Sequence, residues 1–490
     1  MSALAVWLLG WRAAFCAADQ PYEFWDAVYI ADQKVGYFHT VSENRDADGQ
    51  LVIHTRQESQ IAIQRFGQKT EMSGVSQTFE LPDGRLYAVE TRMKTGSEER
   101  TIRGVLGNDN NLELTVRAAG KVTTDSIPWS DDILGPFAQD RLLRERPLKP
   151  GDTHSFRTYL PELNLITKVT LKAIRKESTK LLHRRSAELL LIEQSTDKVP
   201  IKTSIWLDDE GDTVKTSTLL AGLFSMTTYR VSKSEALDVP AEDFNVFDLG
   251  EKTAVVPDHP IPKAHSTRSV TYRLELSDES AAKVIPAAPY QTVLSREGRT
   301  LQVKVSRRVP SKTPGGPNAS PPAEFVEGNG FIQSDDPAII ATARQVAGDA
   351  TGAWEKAVRL ERWVDHNMSN RDFTVGLDSA STVIKTRRGD CTEHAVLLAA
   401  LCRAAGVPAR VAIGLVYVES AGKFFYHMWT EVWVNGSWYA IDGTLGQGFV
   451  AGGHIKLGDA SLKGASDLSA FLPFFEVLGK LTVKVEAIEP

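Results

Sequence analysis

Cysteine is almost missing from this 490-residue chain: only Cys16, Cys391 and Cys402 occur. On a single helix Cys391 and Cys402 would stand about 16 Å apart along the axis, at roughly 1.5 Å per residue, which no disulfide can span. A disulfide-stapled fold is excluded, so the chain must rest on a hydrophobic core. Beyond residue 18 there is also no run of the roughly 18 apolar residues that a transmembrane helix requires. Charge of one sign is not in excess: 56 Lys and Arg against 62 Asp and Glu leave a net charge of −6, with the signs interspersed. That balance disfavours nucleic acid as a partner, because phosphate binding needs a concentrated basic field. No Walker A pattern and no repeat of solenoid period occurs, and Gly443-Thr444-Leu445-Gly446-Gln447-Gly448 lacks the strand-then-helix context of a dinucleotide loop. No cofactor is expected.

What is present is an ordinary globular composition, 42% hydrophobic and 24% charged, in a length that suits about three domains. Leu4 to Gly10 is apolar and small residues follow, with Cys16 and Ala18 where a leader peptidase prefers small side chains. Residues 1–18 therefore read as a signal peptide and the protein as exported, periplasmic or secreted; without a signal it would be cytoplasmic. Residues 19–250 read as a large antiparallel β-rich domain. Alternating stretches such as Leu112–Val116 and Val169–Ala173 are separated by turn chemistry at Pro82-Asp83-Gly84 and Asp208-Asp209-Glu210-Gly211. Glu98-Glu99-Arg100 with Arg103, and His183-Arg184-Arg185, read as solvated faces. A second small β region spans 251–308, carried by Tyr272, Leu274, Leu276, Leu301, Val303 and Val305. Residues 309–325 hold five prolines and two glycines and read as a linker. Residues 326–460 form a further domain, and 461–490 an extension packing on it.

Past the linker the periodicity changes. Ala353, Ala357, Leu360 and Val364 recur at helical spacing, as do Ala395, Leu398, Leu401 and Ala405. Asp390 can N-cap the second helix, Gly406 supplies a left-handed stop, and Pro408 prevents continuation. Strands follow at Ala409–Val418, Phe424–Val434 and Ser437–Asp442, the last two joined by the hairpin signal Asn435-Gly436. Cys391 falls in the first turn of its helix, where unpaired N–H groups favour an anion. With Asn435 and Gly436 as turn residues, Trp433 faces Trp438 and Trp429 faces Asp442. His427 is then diagonal to Asp442, within reach of side-chain contact. Cys391 can attack a carbonyl carbon, His427 can shuttle the proton, and Asp442 can hold the imidazole. The Cys391 N–H is a natural oxyanion donor, and Trp429 and Trp433 are expected either to add a second donor, to exclude water, or simply to fill core with Trp438. Cys402 reads as core. Cys391, His394 and Cys402 cannot share a metal ion, because three helical turns separate the two sulfurs. Glu393 and His394 are expected in supporting or solvent-facing positions, with His394 as the other candidate base.

Arg388-Gly389-Asp390-Cys391-Thr392-Glu393-His394-Ala395, Arg403 to Arg410, Tyr426 to Trp433 and Trp438 to Asp442 together resemble the core of the bacterial transglutaminase-like superfamily, over about residues 330–460. The resemblance implies a papain-like α+β domain and a triad of Cys391, His427 and Asp442. The expected fold class is thus multidomain: a large antiparallel β-rich N-terminal region followed by an α+β transglutaminase-like domain. The expected function is attack on amide carbonyls of a protein or peptide substrate through a cysteine acyl-thioester, then hydrolysis or transfer to an amine. The other reading is a non-catalytic exported β-rich protein that binds a ligand or another protein, with the thiol domain as scaffold.

Overall fold

The computed structural model describes residues 22–490 apart from 48, 96–97, 108, 119, 200, 221–223, 239–247, 278, 312–320, 369, 375 and 464–476. The expected signal segment, most of the proline-rich stretch and part of the C-terminal extension lie outside these residues. The chain divides between Asp248 and Leu249 into two units.

In the first unit, fifteen strands among the described residues form one sheet, antiparallel except where Ile133–Leu134 runs parallel to Thr153–Leu160. One meander leads outward from Tyr22–Ile30 to Lys121–Pro128, a second from Phe224–Val231 back to Ile133–Leu134. Tyr22–Ile30 and Phe224–Val231 pair and join the two. Period-two alternation selects the buried side: Leu112, Leu114 and Val116 point inward from one strand, and Val169, Leu171 and Ala173 from another. The latter three pack with Leu190, Ile192, Ile205 and Leu207. His183, Arg184 and Arg185 are exposed as expected, but Arg100 is a correction: its side chain is buried while Glu99 and Arg103 face solvent. Strand alternation places Arg100 on the same side as the buried Ile102.

The second unit holds two four-stranded antiparallel sheets among the described residues. One orders Gln291–Glu297, Thr300–Ser306, Ser269–Leu276 and Leu481–Glu489, so the end of the chain pairs with a strand some two hundred residues earlier in sequence. The other contains β1 (Ala409–Val418), β2 (Lys423–Val434), β3 (Ser437–Ile441) and β4 (His454–Ala460) in the order β3-β2-β1-β4. Tyr272, Leu274, Val303 and Val483 of the first sheet share a core with Leu415, Phe424, Trp429 and Leu457 of the second. Helices α1 (Pro337–Ala347), α2 (Ala353–Asn367), α3 (Ala380–Thr386) and α4 (Cys391–Ala404) belong to the same unit, beside shorter helices and a two-stranded parallel pair of Asn370–Arg371 with Arg388–Gly389. α4 lies against β1 and β2 with the other three helices around it. The sequence pattern suggests one apolar face for α4; instead every residue from Thr392 to Arg403 is buried, because protein surrounds it on all sides.

Candidate active site

The first turn of α4 is fixed from both ends of a capping box. The Asp390 carboxylate accepts the amides of Thr392, at 2.8 Å, and Glu393, while Glu393 Oε2 accepts the Asp390 N–H at 2.8 Å. Glu393 Oε1 accepts a second amide, from Asp378, at 3.1 Å. Gly389 has φ +141°, and a Cβ there would come 2.3 Å from the Glu393 Cβ, so glycine is required where the chain enters the helix. Cys391 is held at the first helical position as a half-buried free thiol. The solvent-facing alternative for Glu393 and His394 is corrected: both are buried. Burial, reinforced by the Asp390 charge, pushes the Glu393 carboxyl well above its usual range. The His394 Nδ1–H donates to the Asp390 carbonyl at 2.7 Å, which ties the ring to its own helix, and burial lowers its basicity.

The hairpin has the expected register. Trp433 pairs with Trp438 and Thr430 with Ile441, and Asn435 (φ 49°) and Gly436 (φ 81°) turn the chain. Asp442 follows directly where the ladder ends. His427 Nε2–H donates to Asp442 Oδ2 at 2.7 Å. With Nε2 engaged, Nδ1 is the ring nitrogen left available to the Cys391 sulfur, which is close enough to raise the ring's basicity. Burial opposes a charge on this ring, yet the Asp442 carboxylate and the Cys391 sulfur outweigh it and raise His427 to about 10. For Asp442 burial likewise acts against ionisation, but His427 and His454 hold the carboxyl well below its usual value.

Asp442 is fixed by more groups than the sequence reading named. Thr444 donates its N–H, at 2.9 Å, and its hydroxyl, at 2.7 Å, to Oδ1. His454 Nε2–H donates to Oδ2 at 3.0 Å, beside the bond from His427. The Asp442 N–H donates to Glu361 Oε1 of α2 at 3.1 Å. Glu361 is buried, and burial raises its carboxyl to about 8. His454 and Glu361 escaped the sequence reading because one lies on a strand past the hairpin and the other looks like one more charge on an amphipathic helix. The available signals were Glu361 falling on the Ala357–Val364 face and a histidine, a lysine and an aspartate, His454, Lys456 and Asp459, within one short strand.

Trp429 gives its indole N–H to Tyr290 Oη at 3.2 Å, which removes it as an oxyanion donor, and it is core. Trp433 packs edge-on to Trp438 with ring centroids 5.2 Å apart. Cys402 is buried, and burial pushes its thiol up. The structure does not gather Cys391, His394 and Cys402. Ligand atoms of His427, Asp442 and His454 do lie within 4.8 Å of one another. A cation there would have to replace both ring protons that Asp442 Oδ2 already accepts.

The model of the transglutaminase-like superfamily matches residues 340–443, a stretch that includes Cys391, His427 and Asp442. No curated protein matches the chain. Among solved structures, a candidate cysteine protease from Cytophaga hutchinsonii is 18% identical, covers 46% of this chain and 86% of its own, and has a TM-score of 0.31. A β-barrel-like protein of a domain of unknown function from Brucella abortus is 13% identical, covering 43% and 96%, with a TM-score of 0.31. The periplasmic domain of TgpA from Pseudomonas aeruginosa, bound to ethylmercury, is 16% identical, covering 40% and 83%, with a TM-score of 0.25.

Proposed function

From the transglutaminase-like core that the chain carries at residues 340–443, we propose that this protein is a thiol enzyme acting on amide bonds of protein or peptide substrates. The observation that carries the reading is a buried His427 ring with one nitrogen 2.7 Å from the Asp442 carboxylate, raised in basicity by Asp442 and the Cys391 sulfur together. A ring raised to about 10 accepts the thiol proton, and the resulting imidazolium is stabilised by Asp442. The Cys391 sulfur adds to the amide carbonyl carbon. Asp390 takes the amides of Thr392 and Glu393 and leaves the Cys391 N–H to meet the oxyanion. Collapse of the adduct breaks the C–N bond, and the amine departs with the proton from His427, leaving an acyl-thioester. Water or a second amine then gives its proton to His427, attacks the thioester carbonyl and releases the thiol. The substrate approaches without a metal or cofactor being required by these steps.

The test is incubation of the protein with a mixture of peptides, with and without a primary amine, followed by mass spectrometry. Chain cleavage or deamidation supports hydrolysis and amine incorporation supports transfer. Unchanged peptides together with a Cys391 that alkylates no faster than it does in His427→Ala would reject the thiol-enzyme reading.

A further inference from the structure

Asp442 Oδ2 accepts two ring donors, and the proposed chemistry uses only one of them. The other comes from His454, which heads β4 and is fully buried. A carboxylate oxygen can only accept, so His454 must carry its proton on Nε2. Its Nδ1 has no hydrogen-bond partner among the described residues. The neighbouring His265, with ring centroids 5.4 Å away, is turned elsewhere: its Nε2–H is given to the Tyr417 carbonyl at 2.7 Å, and its Nδ1 makes no hydrogen bond among the described residues. Trp429 stands edge-on to the His454 ring at 5.2 Å and closes another side. The titratable groups facing His454 are therefore Asp442 from the exit of β3, His427 from β2, and His265 from the segment before Ser269–Leu276.

We infer that His454 is a positioning residue for the thiol chemistry, a neutral Nε2–H donor that pins the Asp442 carboxylate and keeps it ionised while His427 works. The inference rests on the proposed function for its consequence in catalysis, and on geometry for the tautomer. Thr444 holds one carboxylate oxygen and the two histidines hold the other, so the plane of the group is set from both ends. Loss of the His454 donor frees Oδ2 from one of its two anchors and leaves a buried carboxylate with less to stabilise its charge. The pair formed by His427 and Cys391 then forms less readily as the pH falls. Burial keeps His454 itself neutral, lowering it to about 4, so it donates throughout the neutral range without taking part in proton transfer.

The experiment measures the rate of Cys391 alkylation by iodoacetamide from about pH 4 to about pH 9 in the wild type, His454→Met and His454→Gln. Met fills the space without a donor, and the Gln amide reaches the position of Nε2. Expected is a drop of about tenfold at neutral pH in His454→Met, with the acid limb moved up by about one pH unit, and recovery of both in His454→Gln. Equal rates and an unmoved limb in a folded His454→Met would overturn the inference, as would equal losses with unmoved limbs in both variants. Should His454→Met fail to fold, nitrogen-15 NMR of the wild type decides: a protonated Nε2 and bare Nδ1 on His454 near neutral pH support the assignment, and the opposite tautomer or a doubly protonated ring ends it. Failure of the thiol-enzyme reading is distinct, because it appears as a wild-type Cys391 no more reactive than that of His427→Ala whatever the His454 tautomer.

Discussion

Cys391, His427 and Asp442 draw their properties from what touches them, and their substitutions should differ in kind. Cys391→Ala should lose native-state labelling at position 391 without any appearing at Cys402, which is fully buried with its thiol pushed up; peptide-resolved mass spectrometry after iodoacetamide treatment checks this. Asp442→Asn keeps the shape but puts an NH2 donor where a carboxylate oxygen now accepts, facing either the two ring donors at Oδ2 or the Thr444 N–H and hydroxyl at Oδ1, so one of these donor pairs loses its acceptor. We expect a fall of about a hundredfold or more in acyl transfer, with little change in substrate binding, read as kcat against KM. The His427 ring, raised to about 10, should keep the pair with Cys391 charged through neutral pH and lose it only as the pH climbs toward that value, so the alkaline limb of alkylation lies well above 7. His427 and Asp442 were legible in the sequence because a two-residue hairpin fixes register and register fixes the diagonal. His454 was not, since no local spacing says that β4 lies beside β1 and brings its first residue to the same oxygen.

Elements carry the site through their ends and crossings. The Asp390 cap is satisfied twice on its side chain, so Asp390→Ala should lower stability by about 1 kcal/mol and slow Cys391 alkylation as the first turn of α4 frays, both measurable in urea titrations with a thiol probe. Gly414 of β1 shows a different demand. A Cβ there would lie 2.0 Å from the Ile455 carbonyl and 2.7 Å from the Trp429 ring, beside a register shift between β1 and β4. Gly414→Ala should therefore push β4 away and take His454 from Asp442, costing roughly 3 kcal/mol of stability along with reactivity. The cap, the Asn435-Gly436 turn and the helix stop at Gly406 could be read directly from residue order, because each depends on a few neighbouring residues. The crossing at Gly414 could not, because it depends on a strand forty residues away in the sequence.

At the scale of the whole molecule, buried carboxyls set the response to pH. Glu80 in the first unit accepts the Phe137 amide at 2.9 Å and is raised by burial to about 7, and Glu361 in the second is raised to about 8. A carboxyl whose folded value exceeds its unfolded one binds more protons when folded. Its contribution is complete below about pH 4.5 and is lost as the pH rises through the folded value, on the order of 3 kcal/mol or more for each. His454, lowered to about 4, runs the other way: its contribution is present above the unfolded value near 6.5 and is lost as the pH falls toward 4. Stability should peak in mildly acidic solution and decline above neutrality. Glu80→Gln and Glu361→Gln should each flatten part of that decline, as followed by thermal midpoint against pH. An alkaline slope unchanged in both variants would contradict the assignment.

Residue order by itself determined the β-rich first region, the capped α4, the hairpin and the identity of the three groups expected to react, because these follow from periodicity, capping and turn chemistry over short spans. Only the tertiary structure decided which sheets share a core, how the last strand pairs beside Ser269–Leu276, and that α4 is enclosed rather than one-sided. It also decided that Asp442 answers to two histidines, a threonine and a glutamate. Those contacts join segments tens of residues apart, and their energies depend on burial, which no local pattern encodes.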